Sequence, residues 1–121
     1  MAIIGLDHVQ LAMPRGEEER ARAFYCDVLG LPEKPKPPEL AVRGGCWFET
    51  PAVKIHLGVE QDFRPSAKAH PGLLVDDLDG MLSRCRASGF HATEAELIET
   101  TRRAFVRDPF GNRIELVEAE H

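Results

Sequence analysis

Polar and apolar residues alternate with the period of a strand from residue 4 to residue 13, placing Val9, Leu11 and Met13 on one face and His8, Gln10 and Ala12 on the other. Pro14 and Gly16 end the run. Over residues 17–29 the period becomes helical, with Ala21, Phe24, Tyr25, Val28 and Leu29 forming the stripe. Glu17, Glu18 and Glu19 occupy its first turn, where the helix dipole favours negative charge, and Gly30 stops it. The proline-rich stretch 32–39 predicts an extended connection. Two short strands are expected next, at 40–43 and 46–49, joined as a hairpin through Gly44 and Gly45. A turn at 50–52 leads to an alternating strand over 53–60, so the first half reads β-α-β-β-β.

After a polar stretch at 61–68 the order repeats. Residues 69–75 read as a strand, and Asp76 or Asp77 caps a helix whose buried stripe is Leu78, Met81, Leu82 and Cys85. Gly89 ends it. Weak strand signals at 91–98 precede a firmer strand at 101–107, the turn Asp108-Pro109-Phe110-Gly111-Asn112, and a closing strand at 113–118. Metal-binding residue types fall at mirrored places and nearly equal separations: His8 and His56 in the first half, His70 and Glu115 in the second. This is the signature of a duplicated module whose copies build one site together. The predicted fold is α+β: two βαβββ modules forming a curved mixed sheet around a central cleft, with one helix packed on each module. One domain covers residues 1–121, with module 1 at about 4–60, a linker at 61–68 and module 2 at about 69–118.

The faces follow from alternation. If Val9, Leu11, Ile55, Leu57, Ile114 and Leu116 pack on the helices, then His8, His56 and Glu115 look into the cleft. His70 joins them if its strand starts in register, although Pro71 has no N–H to give to a ladder. Gln10, Arg103 and Phe105 share that side. On the strand at 46–49, either Cys46 with Phe48 or Trp47 with Glu49 must face the cleft; module correspondence favours Cys46 and Phe48, leaving Trp47 in the core. An arginine and a phenyl ring beside a metal suit a small substrate with an anionic group and an apolar body. The competing reading of Arg103 is a solvated charge on an edge strand.

Composition narrows the function classes. With 43% apolar residues, 29% charged residues and a net charge of −5, the chain has no basic stripe for nucleic acid. It has no apolar stretch long enough to span a membrane and no basic-then-apolar leader at its start, which reads as cytoplasmic. Cys26, Cys46 and Cys85 are odd in number and widely spaced, as expected of reduced core thiols rather than a disulfide framework.

The segments D-H-V-Q-L-A at 7–12, A-R-A-F-Y-C-D-V-L-G-L at 21–31, V-D-D-L-D at 75–79 and D-P-F-G-N-R-I-E-L at 108–116 resemble the vicinal oxygen chelate superfamily. That superfamily includes glyoxalase I, fosfomycin-resistance thiol transferases, extradiol dioxygenases and metal-free bleomycin-resistance proteins. The resemblance implies that His8, His70 and Glu115 ligate a divalent cation (Zn, Ni, Mn or Fe), leaving positions open for substrate oxygens. His56 stands where glyoxalase I commonly has a glutamate as fourth ligand. By the same resemblance Glu115 leaves the ion to act as catalytic base, and the protein pairs as a homodimer. Isomerase or lyase, thiol transferase and dioxygenase chemistry all fit. The alternative is a metal-free protein that sequesters a small compound in the cleft.

Overall fold

A computed structural model describes residues 1–120 and realises the duplicated pattern as two four-stranded sheets, separate from one another within the chain. In the first, the strand order is β1 (Val9–Met13), β4 (Lys54–Val59), β3 (Cys46–Glu49), β2 (Glu33–Lys34). In the second it is β5 (Gly72–Val75), β8 (Arg113–Glu118), β7 (Arg103–Arg107), β6 (Ala92–Glu94). The topologies match: β1 pairs parallel with β4 as β5 does with β8, and the other pairings are antiparallel. A parallel pair requires a crossover, which α1 (Glu18–Tyr25) and α3 (Leu78–Ala87) open. The α3 cap falls to Asp77, whose carboxylate accepts the Gly80 N–H at 2.9 Å.

The strand expected at 40–43 is instead part of a short helix, α2 (Pro38–Ala41). Pro38 sits at the first helical position, where its fixed φ suits a helix and its missing N–H costs nothing. The partner of β3 comes from the stretch expected to be a plain connection: Glu33 pairs with Phe48 and Lys34 with Trp47. Pro35 follows at once, and this edge strand is only two residues long. Gly44 and Gly45 do turn the chain, both at positive φ (+77° and +87°), but they lead from α2 into β3. A Cβ on Gly45 would lie 2.1 Å from the Leu57 carbonyl oxygen. Gly45→Ala is therefore expected to destabilise the fold by about 2 kcal/mol or more, readable as a lowered urea midpoint; an unchanged midpoint would contradict this packing.

Alternate residues of each sheet build the core. Ile55, Leu57, Cys46, Phe48 and Met13 are buried on the first sheet, where α1 packs on β3, and Ala104, Val106, Ile114 and Leu116 on the second, where α3 packs on β6, β7 and β8. The two halves share one apolar cluster, Phe24 meeting Phe90 edge to face at 4.8 Å between them, while Tyr25 stacks on Phe48 at 5.2 Å within the first. Polar links join the modules as well. Asn112 donates from Nδ2 to the Ala12 carbonyl at 2.8 Å, and Arg20 donates to the Pro109 carbonyl at 2.9 Å. Among the described residues, no helix is long and apolar enough to cross a membrane.

Candidate functional site

Packing one face of each sheet on its helix turns the polar face outward, and the residue pairing fixes which side chains it carries. On the first sheet Gln10 pairs with His56 and Trp47 with His56, so all three share this face, with His8 one step before β1. The His56 ring lies between two others, stacked on Trp47 at 4.3 Å and on His8 at 4.4 Å. Its Nε2 donates to Glu49 Oε2 at 2.6 Å, both side chains being less than a tenth exposed. That bond holds the Glu49 carboxyl below the usual glutamate value, with Lys34 and Lys54 adding to it. His8 donates from Nδ1 to Asp7 Oδ2 at 2.8 Å, and its Nε2 makes no hydrogen bond among the described residues. The same bond, and then the Lys54 ammonium, lower the Asp7 carboxyl.

The second sheet carries the complementary set. Phe105 pairs with Glu115, and Gly72 pairs with Glu115 from the other side, so Arg103, Phe105, Arg113 and Glu115 line one face. Pro71 does not interrupt this arrangement, because its carbonyl accepts the Glu115 N–H at 3.0 Å. His70 is thereby set with Nδ1 donating to the Lys68 carbonyl at 2.8 Å and Nε2 against Glu115 Oε1 at 2.9 Å. Phe105 meets the His70 ring edge-on at 5.2 Å. Arg103 donates to the Glu96 carbonyl at 3.1 Å and stands 3.6 Å from Glu115 Oε2.

The chemistry of these donors fits a divalent cation. With Nδ1–H committed to a carbonyl, a neutral His70 presents the Nε2 lone pair to a carboxylate oxygen. Two acceptors that close need a proton or a metal ion between them, and anchoring the remote N–H on a backbone oxygen or a carboxylate is how ligating histidines are oriented. His8 on Asp7 has the same arrangement. His56 differs, since its Nε2 is taken by Glu49. Within one chain the four residues form two pairs, one per sheet, and among the described residues no three histidine, cysteine or acidic side chains gather closely enough to hold an ion.

Cys46 and Phe48, expected in the cleft, are core residues, 1% and 0% exposed. The register decides it: Cys46 pairs with Leu57 and Phe48 with Ile55, and cross-strand partners share a face. Burial also pushes the Cys46 thiol up to about 11, so it is no nucleophile. Trp47 and Glu49 take the site side instead. They are the pair that module correspondence ranks second; Asp7 and Arg113 were missed by sequence reasoning, and the Asp-His dipeptide was the available signal for Asp7. Gln10 lies flat over Gly58, where a Cβ would meet its Nε2 at 2.7 Å.

The fold is that of the glyoxalase type. Residues 5–116 match the family described as the Glyoxalase/Bleomycin resistance protein/Dioxygenase superfamily, and the chain belongs to it. It is 35% identical to a lactoylglutathione lyase of Salmonella typhimurium over 117 residues, covering 87% of each protein. The crystal structure of a glyoxalase family protein from Bacillus anthracis superposes with a TM-score of 0.93 at 45% identity, covering 99% of this chain and 98% of that one. The fosfomycin resistance protein FosX of Listeria monocytogenes shares the fold, with a TM-score of 0.79 at 16% identity over 98% and 96% of the chains.

Proposed function

We propose that the chain is a metal-dependent enzyme acting on a small molecule, in which His8, His70 and Glu115 hold a divalent cation of zinc, nickel, manganese or iron. His56 is a fourth donor or, as its bond to Glu49 favours, the support on which His8 stacks. The observation that carries this reading is the His70–Glu115 pair, an imidazole nitrogen and a carboxylate oxygen 2.9 Å apart with the imidazole oriented from behind by Lys68.

Because the two pairs lie on different sheets, the reading includes a homodimer in which a second copy brings its His70 and Glu115 to His8 and His56. The open edges β1 and β5 support it, as do Ile3, Ile4, Leu6 and Leu74, all largely exposed. Apolar side chains beside unpaired strand edges are a liability unless covered. When bound, the ion supplies Lewis-acid chemistry, holding neighbouring substrate oxygens and stabilising the charge that develops on them. Glu115 is the base: its carboxylate, with Oε1 facing His70 and Oε2 facing Arg103, accepts the proton from the carbon next to the substrate carbonyl. The similarity to a lactoylglutathione lyase makes a thiol adduct of methylglyoxal the first substrate to assay.

Nickel titrated into EDTA-treated protein is expected to fill one site per chain, with light scattering at micromolar concentration giving about twice the 13.5 kDa chain mass. Binding no tighter than that of a protein surface would overturn the metalloenzyme reading in favour of a metal-free binding protein. Metal held by a monomer would overturn the shared site.

A further inference from the structure

Four arginines surround the polar face of the second sheet, and they are not equally free. Arg103 is engaged by Glu96 and Glu115, and Arg107 donates to the Gly111 carbonyl at 2.9 Å. Arg113 lies with its guanidinium carbon 4.0 Å above the Phe105 ring centre. Among the described residues it makes no ion pair or hydrogen bond through its side chain. A guanidinium held over a ring keeps its N–H groups available, and with no acceptor for them among the described residues, acceptors are supplied from outside the chain.

Two adjoining cavities meet at Arg113. One, of about 470 Å³, is bounded by Arg64, His70 and Gln10 together with the apolar Val9, Leu11 and Phe63. The other, of about 280 Å³, is bounded by Phe105, His91 and Thr93. Arg64, like Arg113, has no carboxylate partner among the described residues. Two unneutralised guanidiniums beside the candidate metal ligand His70 are a local positive field on a chain of net charge −5. The apolar walls suit a hydrocarbon or aryl body.

We propose that Arg113, carried on Phe105 and assisted by Arg64, binds the oxyanion head of the substrate, a small carboxylate or phosphonate with an apolar body. The role expected of Arg103 passes to Arg113, and Arg103 serves Glu115. This assignment rests on the reading of the His70–Glu115 face as a small-molecule site, and its test separates the two. Benzoate, phenylphosphonate and uncharged benzyl alcohol are titrated by calorimetry into metal-free and nickel-loaded protein. Both anions are expected to bind metal-free protein at least about tenfold more tightly than benzyl alcohol, the tighter one showing whether the head is planar or tetrahedral. Arg113→Met is expected to weaken anion binding roughly ten- to a hundredfold and more than Arg103→Met does, as loss of a charge-assisted fork predicts. Arg113→Lys should recover part of it, since the charge returns without the fork. Nickel affinity should be unchanged in both Arg113 variants.

Anion binding undiminished in Arg113→Met, or benzyl alcohol binding as tightly as the anions, overturns the assignment while leaving the metal reading intact. Wild-type protein that takes no nickel but binds anions through Arg113 does the reverse.

Discussion

His70→Ala is expected to weaken divalent-metal binding by more than the ten- to hundredfold that loss of an orienting partner costs, and to remove any metal-dependent activity. On the proposed reading the side chain supplies one donor atom directly, and its bond to the Lys68 carbonyl fixes the orientation that directs it at Glu115. Glu115→Gln should do nearly as much, because an amide oxygen is a poorer ligand and cannot serve as base. His56→Ala should cost less, about tenfold, since Nε2 of His56 is already bound to Glu49 and what is lost is the stacked support of His8. Titration of the three variants with nickel, alongside the wild type, gives the order. An equal loss in all three would make His56 a full ligand; no loss in His70→Ala would remove the metal site altogether. Acid should release the metal in every functional variant, because protons compete with it for imidazole and carboxylate.

The second large effect belongs to stability. Asp108 is 4% exposed and accepts four hydrogen bonds: from the Tyr25 hydroxyl at 2.7 Å, the Phe110 and Asn112 N–H groups at 2.9 Å each, and Asn112 Nδ2 at 2.8 Å. The same Asn112 amide ties the turn to β1 through Ala12. Removing the carboxylate leaves several buried donors without an acceptor, a loss of roughly 3–5 kcal/mol for Asp108→Ala. A fall in Tm on the order of 10 °C or more should follow. Tyr25→Phe deletes one of the four bonds and should cost about 1–3 kcal/mol. Burial, then the Asp108 charge, push the Tyr25 phenol well above its usual range, so this bond should survive to alkaline pH. Calorimetry of the two variants checks both, and a mild Asp108→Ala would show that the turn relaxes to satisfy its donors from water.

Those four bonds explain why Asp-Pro-Phe-Gly-Asn announced itself so clearly. Its function is local, with donors and acceptor within four residues apart from Tyr25, and local chemistry is readable along a chain. The same holds for the amphipathic helices, for Asp77 as a cap, and for the alternation that put His8, His56 and Glu115 on the faces away from the helices. The mirrored order of the two halves came from the same periodicities and gave the fold class.

What escaped the sequence was non-local. A period of two separates the faces of a strand without saying which is inside. Cys46-Trp47-Phe48-Glu49 offers an apolar residue on each face, and only pairing with Leu57 and Ile55 buried Cys46 and Phe48 while stacking Trp47 on His56. Strand identity was equally undetermined at 33–43, where proline geometry allowed either an extended run or a helix start, and the open edge of β3 selected Glu33 and Lys34. Arg103 and Arg113 are alike in sequence, two positively charged residues on inward-facing positions. It took the folded sheet to set one against Glu115 and leave the other lying free on Phe105, because the partner of a long charged side chain is set by what packs around it rather than by its neighbours in the chain.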